Sequence, residues 1–342
     1  MQKTISEDYF EYVDNFKKND NISSVEIFNN SSETSPEVTI GIPTYKRINT
    51  LKHALDSALS QVYSGSYEIL VLDNNPERYD ETEEFMTKNY GKISRVKYYK
   101  NATNLGMAGN WNRIFYLART RWVSLLHDDD IIAPSFIEDM LNVAKKYNAN
   151  IVNSEFVRWR EDKTARPIFD FKKEKYPVIK STLSSNHFYH MAGMPSGILY
   201  ERSVYIKEGG VNSDYFPSLD YVFNSKLSYK YNFLVYLKPL TIYRLSINES
   251  SNKKTIRTYI CQDYFFRQYI GSLVKHPSFY TKYVSMLYCR HRLNQLQEKS
   301  ISIPEISNHK LRCLNFVEKI LLGLCLKLNI AYYRMVNRVG FC

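Results

Sequence analysis

The stretch RWVSLLHDDDIIAPSFIEDML, residues 121–141, decides how the rest of the chain is interpreted. Residues 122–126 form a short apolar run typical of a buried strand, and His127, Asp128, Asp129 and Asp130 follow it directly. Three adjacent carboxylates repel one another, and no neighbouring lysine or arginine offsets them. A hard divalent cation such as Mg²⁺ prefers oxygen ligands and tolerates bound phosphate. The stretch therefore predicts a metal–diphosphate site at the carboxyl end of a strand.

A second interpretation of the same stretch is a solvated acidic turn that caps the next helix. Pro134 predicts the start of that helix, because proline is favoured in a first turn where its missing N–H is not needed. Short motifs of this kind occur by chance, so the other strand ends in the chain have to distinguish the two interpretations.

Three further apolar runs alternate with helical patterns before this stretch. The predicted strands are Val38–Ile42, Glu68–Leu72, Val96–Tyr99 and Trp122–Leu126, and the predicted helices run from residue 49 or 50 to 61, from 81 to 89, and from the glycine-containing loop 104–110 to about 118. This alternation predicts an α/β fold whose sheet is mostly parallel, with helices on both faces.

Polar clusters follow three of these strands, at residues 43–47, 73–75 and 127–130. In open sheets of this kind, ligands bind beyond the carboxyl ends of the strands. Because parallel strands end at the same edge, the three clusters are expected to converge on one site, which favours a ligand site over a solvated turn.

The patterns that predict secondary structure are weaker in the rest of the chain. Residues 151–156 and 233–237 read as strands, 161–180 as a charged surface excursion, and 241–244 as the start of a polar loop over SINESS. Gly209 and Gly210 predict a turn, and a helical pattern runs from Asp220 to Tyr229.

The length of 342 residues predicts one large domain with an appendage. Residues 1–36 are polar and are expected to be peripheral, with a short helix over 5–16 and a linker over 29–36. Residues 37–250 are predicted to form the main domain, divided near residue 130 into a ligand-binding half and a second half. Residues 251–342 are predicted to form a basic helical region.

The net charge of +11 lies entirely in that last region. Residues 251–342 contain fifteen lysines and arginines and four acidic residues, whereas the first 250 residues are neutral overall. Such a region suits nucleic acid or the anionic inner face of a membrane. Leucines recur there at three- and four-residue spacing from Leu311 to Leu328, which predicts an amphipathic basic helix. That helix either lies on a membrane or docks on the main domain.

The five cysteines form no CxxC pair, so the sequence predicts neither a zinc site nor a disulfide framework. The acidic N-terminus does not fit a secretory signal, and the longest apolar run, Ile320–Leu326, is far shorter than the roughly 20 residues that span a bilayer. A cytoplasmic protein is expected, with peripheral contact to the inner face of the cell membrane.

The order of the motifs resembles that of the family 2 inverting glycosyltransferases, which have the GT-A nucleotide-sugar fold and include enzymes of bacterial polysaccharide biosynthesis. The resemblance runs from about Val38 to Ser251. Six segments carry it: IPTYKR (42–47), VLDNNP (71–76), NLGMAGNWN (104–112), LHDDDI (126–131), GGVNSDYFPSLDY (209–221) and YRLSINESS (243–251). Each is weak alone, and their order and spacing make the resemblance specific.

The resemblance implies a nucleotide diphosphate sugar as donor, with a UDP-sugar favoured. Asp73 is expected to accept a hydrogen bond from the base. The residues implied in donor binding are Pro43, Thr44, Tyr45, Arg47, Asp73, Asn104, Gly106, Asn110, Asp128, Asp129 and Arg244. Of the two arginines, Arg244 is the favoured phosphate partner, and the alternative for both is solvation at the surface.

The resemblance also implies a divalent metal, Mg²⁺ or Mn²⁺, and a carboxylate base. Asp130 is expected to ligate the metal directly, and Asp128 to face the ribose or the metal's water shell. Asp220 matches the base that takes the proton from the acceptor hydroxyl, although SLDYVF would equally suit an aspartate that caps a helix.

Three residues depart from the family pattern. Leu219 replaces the glutamate expected before the base, so Asp220 has to act without it. Ser246 stands where many members have histidine, which removes the expected third metal ligand. His127 stands where many members begin the acidic motif with aspartate, which leaves Asp128 and Asp130 as the spaced pair.

The sequence thus predicts a metal-dependent inverting glycosyltransferase whose acceptor is a glycan, expected to be lipid-linked. Two other functions remain open. A sugar nucleotidyltransferase also needs metal and nucleotide at a sheet edge, but not the Gly-Gly turn followed by Asp220. A nucleic-acid-binding protein would use the basic tail, but the neutral first 250 residues with their acidic strand ends argue against a nucleic-acid partner.

Overall fold

The core of the protein is one sheet that is buried on both faces by the alternating side chains of its central strands. This computed structural model describes residues 8–30, 35–172, 174–191, 193, 196–245, 253–293, 300–301, 306 and 311–342. The strands are β1 Ser24–Asn29, β2 Val38–Thr44, β3 Tyr67–Asp73, β4 Val96–Asn101, β5 Trp122–Leu125, β6 Ile131–Ile132, β7 Ile151–Trp159, β8 Pro177–Lys180, β9 Ile198–Glu201, β10 Phe233–Arg244, β11 Ser300–Ile301, β12 Leu311–Arg312 and β13 Arg338–Phe341. The α-helices are α1 Ile48–Leu59, α2 Glu81–Tyr90, α3 Gly106–Leu117, α4 Phe136–Lys146, α5 Leu183–Phe188, α6 Arg202–Lys207, α7 Leu219–Lys230, α8 Lys253–Leu273, α9 Ser278–Leu293 and α10 Phe316–Val336.

Eleven strands form the main sheet in the order β1-β4-β3-β2-β5-β9-β7-β10-β8-β13, and β6 pairs with β10. The four strands β4, β3, β2 and β5 are parallel to one another, as the alternating pattern predicted. The register places Thr44 beside Asp73, and Gly41 beside Leu125. The polar residues that follow these strands therefore lie at one edge.

The sheet is mixed rather than mostly parallel. β9 runs antiparallel to both β5 and β7, β8 runs antiparallel to β10, and β10 is parallel to β7. The strict alternation of strands and helices in the sequence ends after β5. The alternation therefore predicted the parallel half of the sheet, but it did not predict that the strand direction reverses at β9.

Two apolar clusters cover the two faces. Ile69 and Val71 of β3 face one cluster, and Leu70 and Leu72 face the other, as the two-residue period of a strand requires. The first cluster includes residues of α1, α2 and α4, and the second includes residues of α3, α6, α7 and α8. Burial on both faces fixes where each strand ends, and thereby where the polar residues begin.

The N-terminal segment is part of this fold, which corrects the expectation that residues 1–36 are peripheral. β1 pairs antiparallel with β4 at the edge of the sheet, and Tyr9 and Phe10 are buried in the second cluster. Their rings contact Phe266 and Tyr269 of α8. The helix expected over 5–16 is absent from its described part, residues 8–16, where Tyr9 and Phe10 instead lie in a turn and pack their rings against α8.

The C-terminal region is helical as expected, but it is joined to the main domain. Phe266 and Ile270 of α8 are fully buried in the second cluster, and β13 pairs with β8. Among the described residues, no helix combines the length and apolarity that crossing a bilayer requires.

Several expected boundaries shift. The loop predicted over 104–110 already turns into α3 at Gly106, and Pro134 precedes a helix that begins at Phe136. The excursion over 161–180 contains β8, and β10 continues unbroken from Phe233 to Arg244 because it pairs with β7 along its whole length. The expected polar loop, residues 246–251, lies outside the described residues.

Gly209 tests the attachment of the N-terminal segment. Its φ is +84°, and a Cβ there would lie 2.0 Å from the carbonyl oxygen of Val13. We expect Gly209→Ala to lower the free energy of unfolding by about 2 kcal/mol or more, because both the backbone conformation and the contact become strained. Denaturant unfolding measures this.

Gly323→Ala in α10 is the matched control, because a Cβ there meets nothing within 4 Å. It should raise stability by roughly 0.5–1 kcal/mol through helix propensity. Equal stability of Gly209→Ala and the parent would show that the N-terminal segment is not held as described.

Candidate active site

The three carboxylates occupy a tight turn between β5 and β6. β5 ends at Leu125, and the backbone N–H of Asp130 donates a 3.1 Å hydrogen bond to the carbonyl of His127. β6 then pairs antiparallel with β10, with Ile131 beside Ile242 and Ile132 beside Thr241. The turn is thereby fixed at both ends, and Asp128, Asp129 and Asp130 are each 5% exposed or less.

Thr44 and Arg47, from the end of β2 and the loop after it, reach Asp128 and Asp129. Thr44 Oγ1 donates to Asp128 Oδ2 at 2.8 Å. Arg47 Nη1 lies 3.4 Å from Asp128 Oδ1 and 3.1 Å from Asp129 Oδ2. The sequence showed no cation beside the carboxylates, because Arg47 precedes them by about 80 residues and is brought close only by the pairing of β2 with β5.

Asp130 is the most deeply buried of the three. Its Oδ1 accepts a 3.1 Å hydrogen bond from the backbone N–H of Arg244, and its Oδ2 has no hydrogen-bond partner among the described residues. Burial, and then the neighbouring Asp129, raise the pKa of Asp130 well above its usual range, and the same two causes raise the pKa of Asp128 to about 7. A buried carboxylate oxygen without a partner is costly unless a cation meets it.

His127, Asp129 and Asp130 can hold that cation. Each offers one ligand atom, and these atoms lie within 4.8 Å of one another. Carboxylate oxygen with imidazole nitrogen is a donor set that suits Mn²⁺, and the carboxylates suit Mg²⁺. The residues present therefore fit a divalent metal, and the unpartnered Asp130 Oδ2 is the atom that most needs one.

The metal-ligand pair expected from the sequence was Asp130 with Asp128. The structure instead places Asp129 and His127 beside Asp130, and turns Asp128 toward Thr44 and Arg47. The tight turn is the physical reason, because three successive side chains in a turn cannot all point to the same side. Asp128 remains within the site and is placed to orient the loop after β2.

His127 was noted in the sequence only as a departure from the family pattern. Its ring stacks on Trp111 at 5.2 Å between centroids, its backbone N–H donates to Ser196 Oγ at 3.1 Å, and its Nδ1 lies 3.8 Å from Asp130 Oδ2. Burial lowers the pKa of His127, so the ring is neutral and able to ligate. Trp111 is mainly a core residue, and it also fixes the orientation of this ring.

Asp73 does not offer a free acceptor at the edge. It has no exposed surface, and its oxygens accept from Tyr98, Lys100 and the backbone N–H of Asn75 at 2.9–3.1 Å. Burial raises the pKa of Asp73, against the lowering effect of these partners. The residue expected to contact the base is thus engaged inside the protein, and the next residue, Asn74, is buried as well.

The expected donor residues of the third motif form an amide network with Asn74. Asn104 Oδ1 accepts from Asn74 Nδ2 at 2.7 Å and from the N–H of Gly106 at 2.9 Å, and Asn110 Oδ1 accepts from Asn101 at 2.9 Å. The N–H of Asn74 donates to the carbonyl of Thr44, which joins this network to the carboxylate turn. Asn104 and Gly106 are exposed, whereas Asn110 is buried and supports them.

The remaining two expected donor residues of the first motif also differ in exposure. Pro43 is buried within β2, and Tyr45 is 44% exposed beyond its end. Only Tyr45 of these two presents a side chain to a ligand.

Arg244 was the favoured phosphate partner, but its guanidinium is buried and engaged. Nη1 lies 3.0 Å from Glu161 Oε2, Nη2 lies 3.1 Å from His53 Nδ1, and the group stacks over Trp159. Its backbone N–H, not its charge, reaches the carboxylate turn. Arg47, which is 35% exposed in its side chain, is the arginine that the structure places at the open edge.

Asp220 lies in the first turn of α7, after the Gly209–Gly210 turn. The helix begins at Leu219, and Asp220 is not its N-cap; its Oδ1 accepts from the N–H of Tyr221 at 2.8 Å. Burial raises the pKa of Asp220 to about 6, with Arg292 of α9 acting in the opposite direction. Its surroundings are those of a base that ionises near neutral pH.

Two histidines between β8 and β9, His187 and His190, lie in surroundings that disfavour a charged ring. His187 in α5 is fully buried, and its Nδ1 lies 3.1 Å from Nδ1 of His276. Burial lowers the pKa of His187 and of His190 to about 3, so both rings are neutral. Ser246, the residue at the expected third ligand position, lies outside the described residues.

Sequence comparison places this arrangement among known proteins. The model of the family described as Glycosyl transferase family 2 matches residues 39–206. An uncharacterized glycosyltransferase of Haemophilus influenzae is 25% identical over 248 residues, which cover 71% of this chain and 80% of that protein. An uncharacterized glycosyltransferase of Methanocaldococcus jannaschii is 28% identical over 145 residues, and the match covers 41% of this chain. The chain spans less than half the length of this relative, 48%.

Two solved structures share the fold. The mannosyltransferase PcManGT from Pyrobaculum calidifontis, in complex with GDP-Man and Mn²⁺, has a TM-score of 0.50 at 12% identity, over 92% of this chain and 86% of that one. S. aureus TarS 1–349, in complex with UDP-GlcNAc, has a TM-score of 0.50 at 14% identity, over 88% and 90%. The GT-A fold class expected from the sequence is confirmed, with a mixed sheet.

Substitution of Asp130 tests the metal assignment. We expect Asp130→Asn to abolish the binding of Mn²⁺ in a calorimetric titration, because it removes the negative charge of the buried carboxylate whose Oδ2 has no hydrogen-bond partner in the turn. The same variant should raise the melting temperature of the metal-free protein by a few degrees, because like-charge repulsion in the turn is relieved.

Asp128→Asn is the matched control, since Asp128 lies in the same turn but is bound to Thr44 and Arg47. It should retain Mn²⁺ binding within about tenfold. Loss of the metal in Asp128→Asn together with its retention in Asp130→Asn would reverse the assignment.

Proposed function

This chain carries a domain of glycosyl transferase family 2 over residues 39–206, and on that premise we propose that it is a metal-dependent inverting glycosyltransferase that uses a nucleotide diphosphate sugar. The observation that carries the proposal is the buried carboxylate turn beyond β5, with an unpartnered Asp130 oxygen beside Asp129 and His127. A metal-bound diphosphate leaving group needs such an arrangement, and a solvated acidic turn would not be buried.

The donor is proposed to lie across the ends of β2, β3 and β5. Arg47 is at the open edge of the carboxylate turn, where its guanidinium can pair with a phosphate. Tyr45, Asn104 and Gly106 are exposed along the same edge and are proposed to contact the nucleoside. The structural relatives were solved with UDP-GlcNAc and GDP-Man, which supports a nucleotide sugar, and we favour UDP.

The divalent metal, Mg²⁺ or Mn²⁺, would offset the charge that develops on the departing diphosphate. His127, Asp129 and Asp130 would hold it, and Asp128 would keep the loop after β2 in place through Thr44. The buried amide network around Asn74 keeps the third motif in a fixed conformation, so the donor site is largely formed before the donor binds.

Asp220 is proposed to take the proton from the acceptor hydroxyl. The acceptor oxygen then forms a bond to the anomeric carbon while the bond to the diphosphate breaks, and this single displacement inverts the configuration. Among the described residues, no hydrogen bond or ion pair joins Asp220 to the carboxylate turn. The proposal requires a sugar ring to lie between the base and the leaving group.

The acceptor is proposed to be a glycan on a lipid carrier at the inner face of the cell membrane, in the biosynthesis of a cell-surface polysaccharide. The support is the charge distribution, because the whole excess of +11 lies in residues 251–342 and would draw the protein to an anionic leaflet. A cytoplasmic, peripheral location follows from the same proposal.

A panel of nucleotide sugars tests the donor. Ligands that bind only the folded protein raise its melting temperature, so a UDP-sugar with Mn²⁺ should stabilise the protein and the same sugar without metal should do so less. Stabilisation by nucleoside triphosphates alone, with none by any nucleotide sugar, would favour a nucleotidyltransferase instead.

Asp220→Asn tests the base. The amide cannot accept a proton, so turnover should fall roughly 10²–10⁴-fold while donor affinity and melting temperature change little. Asp214→Asn, at an exposed carboxylate close in sequence, should leave turnover unchanged. If Asp220→Asn turns over like the parent, Asp220 is not the base.

The pH profiles of the parent and of the same two variants test the base independently. A base works when ionised, so kcat/KM of the parent should rise with pH and level off above about 6, the pKa to which burial raises Asp220. Asp214→Asn should keep this rise, and the residual activity of Asp220→Asn should lack it.

A further inference from the structure

Helix α10 carries an apolar face that points away from the protein. Leu322 and Tyr333 are buried, and Tyr333 and Leu326 pack with Val284 and Tyr288 of α9. The other side is exposed, with relative exposures between 48% and 69%. Its residues are Val317, Ile320, Leu321, Leu324, Leu328, Tyr332 and Met335.

The exposed residues form one continuous stripe. They recur every three or four positions, which places them on one side of a helix, and from Val317 to Met335 they extend over about 27 Å. A surface helix normally buries its apolar side and exposes its polar side. α10 has apolar residues on both sides, and the larger apolar face is the outer one.

Fixed contacts hold this face outward. Asn315 and Glu318 form a capping box at the start of α10, and Glu318 lies 2.7 Å from Arg290 of α9. Tyr333 shares a 3.0 Å hydrogen bond with Ser184, and the chain then enters β13, which pairs with β8. The helix is thus anchored along its length and at its end, so it cannot rotate to cover the stripe without breaking these contacts.

Basic residues accompany the stripe. Residues 311–342 contain five lysines and arginines and one acidic residue, Glu318, which is already paired with Arg290 and Arg312. Lys327 is exposed at the flank of the stripe, whereas Lys319 is exposed on the opposite side of α10. An apolar face with cationic neighbours matches the boundary between acyl chains and anionic headgroups. A second copy of the chain would bring two sets of these cations together, which disfavours a dimer through this face.

We infer that α10 lies in the plane of an anionic bilayer, with the stripe from Val317 to Met335 inserted at the headgroup boundary and Lys327 on a lipid phosphate. The inference rests on the peripheral location proposed above and names the surface that makes the contact, but it does not depend on the transfer chemistry. Deletion of residues 305–342 would remove β13 from the main sheet, so substitutions on the exposed face are the cleaner change.

The test uses the full chain and vesicles of phosphatidylcholine, with or without phosphatidylglycerol at roughly a third of the lipid. The parent should co-sediment with the anionic vesicles, less with the neutral ones, and less as salt rises. Leu324→Gln with Leu328→Gln should weaken binding at least about tenfold, because two inserted leucines are lost while helix propensity is kept. The melting temperature should stay near that of the parent.

Val62→Gln with Ile168→Gln is the matched control, since both side chains are exposed apolar residues elsewhere on the surface. Its vesicle binding should equal that of the parent. The inference is wrong if the parent does not bind anionic vesicles, or if the double leucine variant binds them as tightly as the parent does. It is also wrong if the parent is a dimer in solution that the leucine variant converts to a monomer without any effect on lipid binding.

Discussion

The structure depends on keeping three carboxylates buried side by side in the turn after β5. Burial and mutual repulsion both oppose their ionisation, as the raised pKa values of Asp128 and Asp130 indicate. Arg47 offsets part of the charge, and Thr44 donates one hydrogen bond, but Asp130 keeps an oxygen without a partner. Such a turn is retained at a cost in stability, and the proposed metal–diphosphate site gives a reason for that cost.

The parallel half of the fold could be predicted from the sequence because its information is local. The bounds of β2 to β5 lie within two residues of their predicted positions, since each strand is a short apolar run followed by polar residues. The N-terminal segment could not be predicted in this way. Tyr9 and Phe10 owe their burial to α8, which lies about 250 residues later in the chain.

The candidate site likewise has features that could be predicted from the sequence and features that could not. The convergence of the three strand ends was predictable, because parallel strands share an edge. The grouping of Asp129 and His127, rather than Asp128, beside Asp130 was not, because it depends on how a four-residue turn directs its side chains. The engagement of Asp73 by Lys100 and of Arg244 by Glu161 was also not predictable, since each partner comes from another segment. Residue type alone does not tell a phosphate-binding arginine from one held in an internal ion pair.

The C-terminal helices connect the proposed membrane surface to the proposed base. Arg267 of α8 pairs with Asp263 at 3.0 Å and stacks on Tyr221, the residue after Asp220. The hydroxyl of Tyr221 donates to the carbonyl of Asn186 at 2.6 Å. The helix that carries Asp220 is therefore packed against the region whose outer helix is α10. A basic tail that lay only on the surface would not place α8 in the core and β13 in the main sheet.

Anomalous X-ray diffraction from crystals grown with Mn²⁺ and a uridine diphosphate sugar would test the central claim most directly. The account predicts one manganese peak at coordination distance from Asp130, with Asp129 or His127 beside it and the diphosphate completing the shell. A bound nucleotide sugar with no metal at Asp130, or a metal held by Asp128 alone, would contradict it.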